Sequence, residues 1–377
     1  MKNSVLNIKS DSVRLVSIDA LRGFDMFWII GGAMVFKKWE LITSSPLVHA
    51  LAGQMKHRAW NGFSFYDMVF PLFLFLAGVS FPFSLDKRES RGDSKWKIYV
   101  HIIRRMLILI LLGMIYNGLL QFNFSDMRYV SVLSRIGLAW GLGAIIAMNT
   151  TWKGQTIWCL SLLLGYWAAM TLIPVPGFGA GVLTMGGSFA AYVDRCLVPG
   201  KLYLDVHDPE GLFATIPAVS TALLGILTGQ LLQSEKRALT PLRKGLCLLA
   251  MGVLGLFLGM LWNLAFPINK NLWTSSFVLF AGGFSAILLS VFYLMIDVGP
   301  FKKLFFPFVV IGMNSITIYM LQDGILPFLS TTQFFFGGLL DLFPLAAQAV
   351  LMVLCSIVVK WVFLYILYKY RIFLRVG

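Results

Sequence analysis

Apolar runs alternate with short polar, mostly basic stretches along the whole chain. Runs of spanning length fall at 19–36, 65–84, 98–120, 131–149, 157–173, 212–232, 245–263, 272–296, 305–322 and 346–368. Each is close to the ~20 residues a helix needs to cross hydrocarbon. The pattern predicts an all-α fold, a polytopic membrane bundle of about ten transmembrane helices. Residues 1–377 read as one integral-membrane domain. The polar stretches then set direction. The arm 1–18, "DKRESRGDSKWK", "NTTWKGQ", "SEKRALTPLRKG", "GPFKK" and "YKYRIFLRVG" hold roughly 21 of the 31 basic residues, and the opposite set roughly 8. That bias predicts both termini, and the N-terminal arm 1–18, in the cytoplasm. The arm is polar and basic and lacks the apolar core of a signal peptide, so the first spanning run is expected to direct insertion.

The outer side then carries the segment 37–64, a glycine-rich loop at about 174–211, and the turn "FPINKNLW". Composition agrees: 58% of residues are hydrophobic, only 13% are charged, and mean hydropathy is +0.80. A net charge of +14 would suit nucleic acid, but the basic residues sit in loops beside apolar runs, so no nucleic-acid partner is expected. Cys159, Cys196, Cys247 and Cys355 are scattered, with no disulfide framework and no metal-binding pair.

The densest chemistry lies in "MKHRAWNGFSFYDMVFPLFLFLAGVS", residues 55–80. Asn61-Gly62 signals a turn. Ser64 and Asp67 have the spacing of a capping box, which predicts a helix start at Ser64 with Asp67 in its first turn. Pro71 falls far enough in to predict a kink. Asp67 reads equally as a capping carboxylate and as a site group, and Trp60 first as an interfacial anchor. A lone histidine such as His57 is more often structural or solvated than catalytic; its setting raises its interest.

Polar groups inside spanning runs are costly and rarely idle. Asp19, Arg22 and Asp25 share one helix face and can pair. Arg135 is expected to pair with Asp126 or Asp67, and the amide of Asn314 needs a partner within its helix bundle. Glu210 reads either as a receptor for an amine or as a helix cap.

Five stretches occur in order: "RLVSIDALRG" at 14–23, "HRAWNGFSFYDMVFP" at 57–71, "DPEGLFATIPA" at 208–218, "FPINKNLWTSSF" at 266–277 and "GMNSITIY" at 312–319. Together they closely resemble the heparan-α-glucosaminide N-acetyltransferase family of multi-spanning acyltransferases. The resemblance implies an acetyl-CoA-dependent acyltransferase that moves acetyl from cytoplasmic acetyl-CoA to the amine of a glucosamine-type sugar or glycan end on the far side of the membrane. His57 aligns with the family's active-site histidine, as base or acetyl carrier, and Asp67 is the nearest group to orient it. The family's lysosomal members have an asparagine in the first helix–loop region, thought to assist that histidine, where this chain reads "FWIIGGAMVF". Their lumenal N-terminal domain and extra first helix are not expected here. The shorter bacterial members are the nearer match, which implies a bacterial inner membrane.

The implied partners are acetyl-CoA as co-substrate, an amino-sugar or glycan acceptor, the lipid bilayer and, left open, a second copy of the chain. No metal is implied. The phosphates of CoA call for a basic mouth, with Arg14, Arg22, Arg104 and Arg105 as its candidates. Trp60, Asn61, Glu210, Asn269, Lys270 and Trp273 are candidates for the sugar, with capping and anchoring as their structural alternatives. Two other readings stand beside this one: a transporter of amino sugars or N-acetyl sugars, and a sugar O-acetyltransferase.

Overall fold

In the computed structural model the described residues are 15–235 and 239–374. They form fifteen α-helices, and no strand occurs among them. A broken first helix, α1 (Val16–Phe27) and α2 (Ala33–Trp39), leads through α3 (Pro46–Gln54) to α4 (Val69–Glu89). Then follow α5 (Lys95–Tyr116), α6 (Val132–Asn149), α7 (Trp152–Leu172) and the short α8 (Phe189–Leu197). The second half holds α9 (Thr215–Gln233), α10 (Pro241–Asn263), α11 (Ser275–Tyr293), α12 (Phe306–Met313), α13 (Ser315–Leu321), α14 (Phe328–Leu340) and α15 (Leu345–Lys369).

Eight of these segments are long and apolar enough to cross a membrane. They correspond to eight of the expected runs. The other two runs are broken. The first is interrupted by a π-turn at Trp28–Gly32, where Gly31 takes φ 153°, a conformation that side chains disfavour. Lys360 donates to the freed carbonyl of Ile30 at 2.8 Å. The run at 305–322 breaks at Asn314, whose amide donates to the Ile372 carbonyl at 3.1 Å. At the first break Lys360 thus partners a backbone carbonyl of the irregular turn, which is the condition for irregular structure within a bundle. Helix α3 in the segment 37–64, α8 in the long loop and the apolar α14 were not signalled by the hydropathy pattern.

Helices α4 and α9 form the centre, with 72% of each spanning window buried, whereas α15 has 11% and lies at the edge. Close approach comes from glycine. A Cβ on Gly225 of α9 would lie 2.1 Å from the Phe75 carbonyl oxygen of α4. Gly23 of α1 and Gly312 of α12 meet in the same way, at 1.7 Å from Phe308 O and 1.9 Å from Asp19 O. Small residues at such contacts let backbones approach where lipid offers no hydrophobic drive for association.

Pro71 does not kink its helix, contrary to expectation. The segment opens with a 3-10 turn over Phe65–Met68, so Pro71 falls in the first turn of α4, where its missing N–H is harmless.

Candidate active site

The three segments expected on one face meet at one end of the bundle. Gly62 N–H donates to the Ile268 carbonyl at 2.8 Å, and the Asn269 amide donates to Asn61 Oδ1 at 3.1 Å. Trp60 donates its indole N–H to the Leu183 carbonyl at 2.8 Å and packs edge-on to His207. His207 Nε2 lies 3.1 Å from the Asn271 carbonyl. These contacts lock the 57–63 loop between the long loop and the 266–274 turn.

Asp67 is the polar pivot of this assembly. The capping box at Ser64 forms as expected. Asp67 Oδ2 accepts the backbone N–H groups of Ser64 at 3.0 Å and Arg58 at 3.3 Å, with the Ser64 hydroxyl at 2.8 Å. Its other oxygen, Oδ1, lies 2.7 Å from His57 Nδ1. The capping and site readings of Asp67 therefore both hold in one carboxylate. Its side chain is 1% exposed, while that of His57 is 51% exposed. A carboxylate here accepts, so the proton belongs on Nδ1 and the lone pair on Nε2.

Lys270 completes the cluster. Its Nζ lies 3.0 Å from His57 Nδ1, 3.3 Å from Nε2 and 3.7 Å from Asp67 Oδ1. Burial lowers its pKa, and the carboxylates of Asp67 and Glu210 offset that only in part. The ring of Tyr66 sits 4.8 Å from the His57 ring.

His57, Lys270 and Glu210 stand together on the wall of a cavity of about 220 Å³. Its remaining wall is mainly apolar, built by Met26 of α1, Ile29 of the π-turn, Phe70 and Phe73 of α4, and Ile136 of α6, with Tyr66 and Tyr319 as its hydroxyls. Glu210 caps no helix. It pairs with Arg128, which also grips Asp208 through Nε at 2.7 Å and Nη2 at 2.5 Å. Burial works against the Arg128 charge, and the two carboxylates more than offset it, raising its pKa. Arg128 was not anticipated, nor were Tyr66 and Tyr319. The acidic "DPE" was the one available signal for Arg128, since a buried acidic pair calls for a cation.

Other candidates fall elsewhere. Trp273 is fully buried. Its indole N–H donates to Thr221, Phe70 and Phe277 meet it edge-on, and Arg135 lies over its face at 5.1 Å. It offers no open face to a sugar. Asn269 is also fully buried, and its Oδ1 accepts from Leu272 N–H, so it builds the turn. Arg135 hydrogen-bonds the Gly211 carbonyl at 2.8 Å, not the expected Asp126 or Asp67. Asp67 is already engaged by His57, Ser64 and Arg58.

Among the basic residues, Arg22 bonds Asp19 at 3.3 Å and the Ser80 hydroxyl, and Arg105 stacks on Trp140 at 4.3 Å. Arg104 is exposed on the flank of α5 that carries Trp96, Val100, Leu107 and Leu111. Asp25 is buried apart from the Asp19–Arg22 pair, with one oxygen unpartnered. Arg14 lies outside the described residues.

Together the fold and the cluster define a polytopic helical membrane protein with a histidine–carboxylate–lysine group at the mouth of an apolar cavity. The chain is 29% identical to the Homo sapiens heparan-alpha-glucosaminide N-acetyltransferase, over 81% of this chain and 52% of that protein. It is equally similar to the Mus musculus protein of that name, over 83% of this chain and 54% of the relative. The resemblance carried by the motifs is thus shared with curated relatives. The chain spans about half the length of the curated relatives it matches. A family model described as a domain of unknown function (DUF5009) matches residues 14–128, a span that includes His57 and Asp67.

Proposed function

We propose that the protein is a membrane-embedded acetyltransferase that passes acetyl from cytoplasmic acetyl-CoA to the amine of a glucosamine-type acceptor on the outer side. The observation that carries this reading is the His57–Asp67 pair at the head of the cavity. Asp67 fixes the tautomer, and Nε2 is then ready to take a proton from the amine or to take the acetyl group itself. Both routes start from the same atom. Glu210, the carboxylate on the wall, shares its charge between Arg128 and the sugar ammonium.

The donor side fits the same column. Asp67, in the 3-10 turn that opens α4, stands behind His57, and Ser80 further along α4 holds Arg22; the rise of a helix puts them about 20 Å apart. An extended pantetheine arm suits such a reach. Arg22 and Arg105 then meet the CoA phosphates, while the apolar walls of the cavity exclude water from the thioester. Arg104, on the outer flank of α5, takes no part.

Mixing purified protein with acetyl-CoA and glucosamine tests the reading. Release of free CoA that depends on glucosamine is the expected result. Uptake of labelled sugar into vesicles without any acetyl-CoA, and no CoA release, would instead favour a transporter.

A further inference from the structure

We infer that Lys270 is a catalytic residue, whose ammonium holds the oxygen of the reacting thioester carbonyl as it becomes an oxyanion. The inference rests on the acetyltransferase reading and assigns a step within it. The position of Nζ is the first argument. It is nearly equidistant from the two nitrogens of His57, at 3.0 and 3.3 Å, so it lies beside the ring and not on a single lone pair. A nucleophile bonded to Nε2 puts the carbonyl it attacks within a few ångströms of Nζ. The same holds if Nε2 is itself the nucleophile.

Charge is the second argument. Lys270 has been read as a sugar-binding group, but a cation beside His57 repels a sugar ammonium and favours the free amine. A carboxylate suits the ammonium, and Glu210 supplies one on the same wall. Lys270 is therefore the wrong charge for the acceptor and the right charge for an oxyanion. Burial is the third argument. The side chain is 16% exposed, and Asp67 Oδ1 at 3.7 Å sustains its charge. A cation fixed in a largely buried position stabilises developing charge more than one free in solvent.

The step balances. The amine lone pair attacks the carbonyl carbon, a C–N bond forms, and the C=O π pair moves onto oxygen beside Lys270. His57 Nε2 takes the amine proton. The oxygen pair returns to re-form C=O, the C–S bond breaks, and the CoA thiolate takes the proton from His57. The products are the amide and CoA thiol.

Steady-state kinetics of Lys270→Met, Lys270→Gln and Lys270→Arg, with acetyl-CoA and glucosamine in detergent, test this. Loss of an oxyanion donor lowers kcat by about 10²–10³-fold. That loss is expected for Met and Gln, with KM for glucosamine within about threefold of wild type. Arg should recover at least about tenfold over Met by restoring the charge. Each rate is referred to folded protein by its melting transition, and if Met does not fold, Gln decides. A neutral variant that keeps kcat within about threefold overturns the assignment, as does a loss confined to KM. A wild type that releases no CoA overturns the acetyltransferase reading and this step with it, so the two failures are distinct.

Discussion

At the scale of single residues the account turns on one proton. Asp67 Oδ2 faces two backbone N–H donors and a hydroxyl, and Oδ1 faces His57. An asparagine at 67 must keep its oxygen toward those donors and therefore present its NH₂ to His57 Nδ1. That reverses the tautomer and puts a hydrogen on Nε2. Asp67→Asn is expected to lower kcat by about 10²–10⁴-fold with little change in melting temperature, since the wrong tautomer alone has an effect of that order. Steady-state rates with a melting curve check it; a rate within about threefold of wild type contradicts the assigned tautomer. The contact between His57 and Asp67 was legible from the sequence, because a turn, a capping box and a histidine crowd into one stretch. Trp273 and Asn269 were misleading for the same kind of reason. Their types suit sugars, but burial is a property of the folded packing and leaves no mark in a short motif.

A second residue-scale effect depends on pH. Burial depresses the pKa of His207 from 6.5 to about 4. A depressed pKa contributes stability that is present above about pH 6.5 and is lost as pH falls toward about 4. Asp194 runs the other way: burial raises its pKa from 3.8 to about 6, so its contribution is present below about 3.8 and is lost as pH rises through about 6. The two oppose each other in the window between. His207→Gln is expected to remove the acid-side loss, so that melting temperature falls less from pH 7 to pH 5 than in wild type. An unchanged slope would show that His207 is not buried in solution.

At the scale of elements, helix contacts are set by glycines more than by side-chain volume. Gly23 and Gly312 touch the opposing backbones, so a valine at either must separate α1 from α12. Overpacking of this kind costs on the order of 1–3 kcal/mol. Gly23→Val is expected to lower the melting temperature even though no site residue is changed, and differential scanning fluorimetry in detergent checks it. The eight long helices were legible because apolar length is a strong signal. The two broken runs were not, because a π-turn at Gly31 and a break at Asn314 depend on Lys360 and Ile372, far away in sequence. The missing kink at Pro71 has a local cause: the 3-10 turn before it moved the proline into the first turn of α4.

At the scale of the whole molecule, two ends of one column carry different chemistry. His57, Lys270 and Glu210 lie at one end with the three converging loops, and Arg22, held by Ser80 of α4, lies about 20 Å along that helix from Asp67. In the orientation we propose from the charge bias of the loops, the first end faces outside and the second faces the cytoplasm. The central claim is that acetyl crosses between them while the sugar stays outside. The direct measurement uses sealed vesicles of known orientation, with labelled acetyl-CoA confined to the cytoplasmic side and a membrane-impermeant amino-sugar acceptor confined to the outer side. The account predicts labelled N-acetyl product on the outer side with wild type, and at least a hundredfold less with His57→Ala. Product that forms only when donor and acceptor share the cytoplasmic side would contradict it.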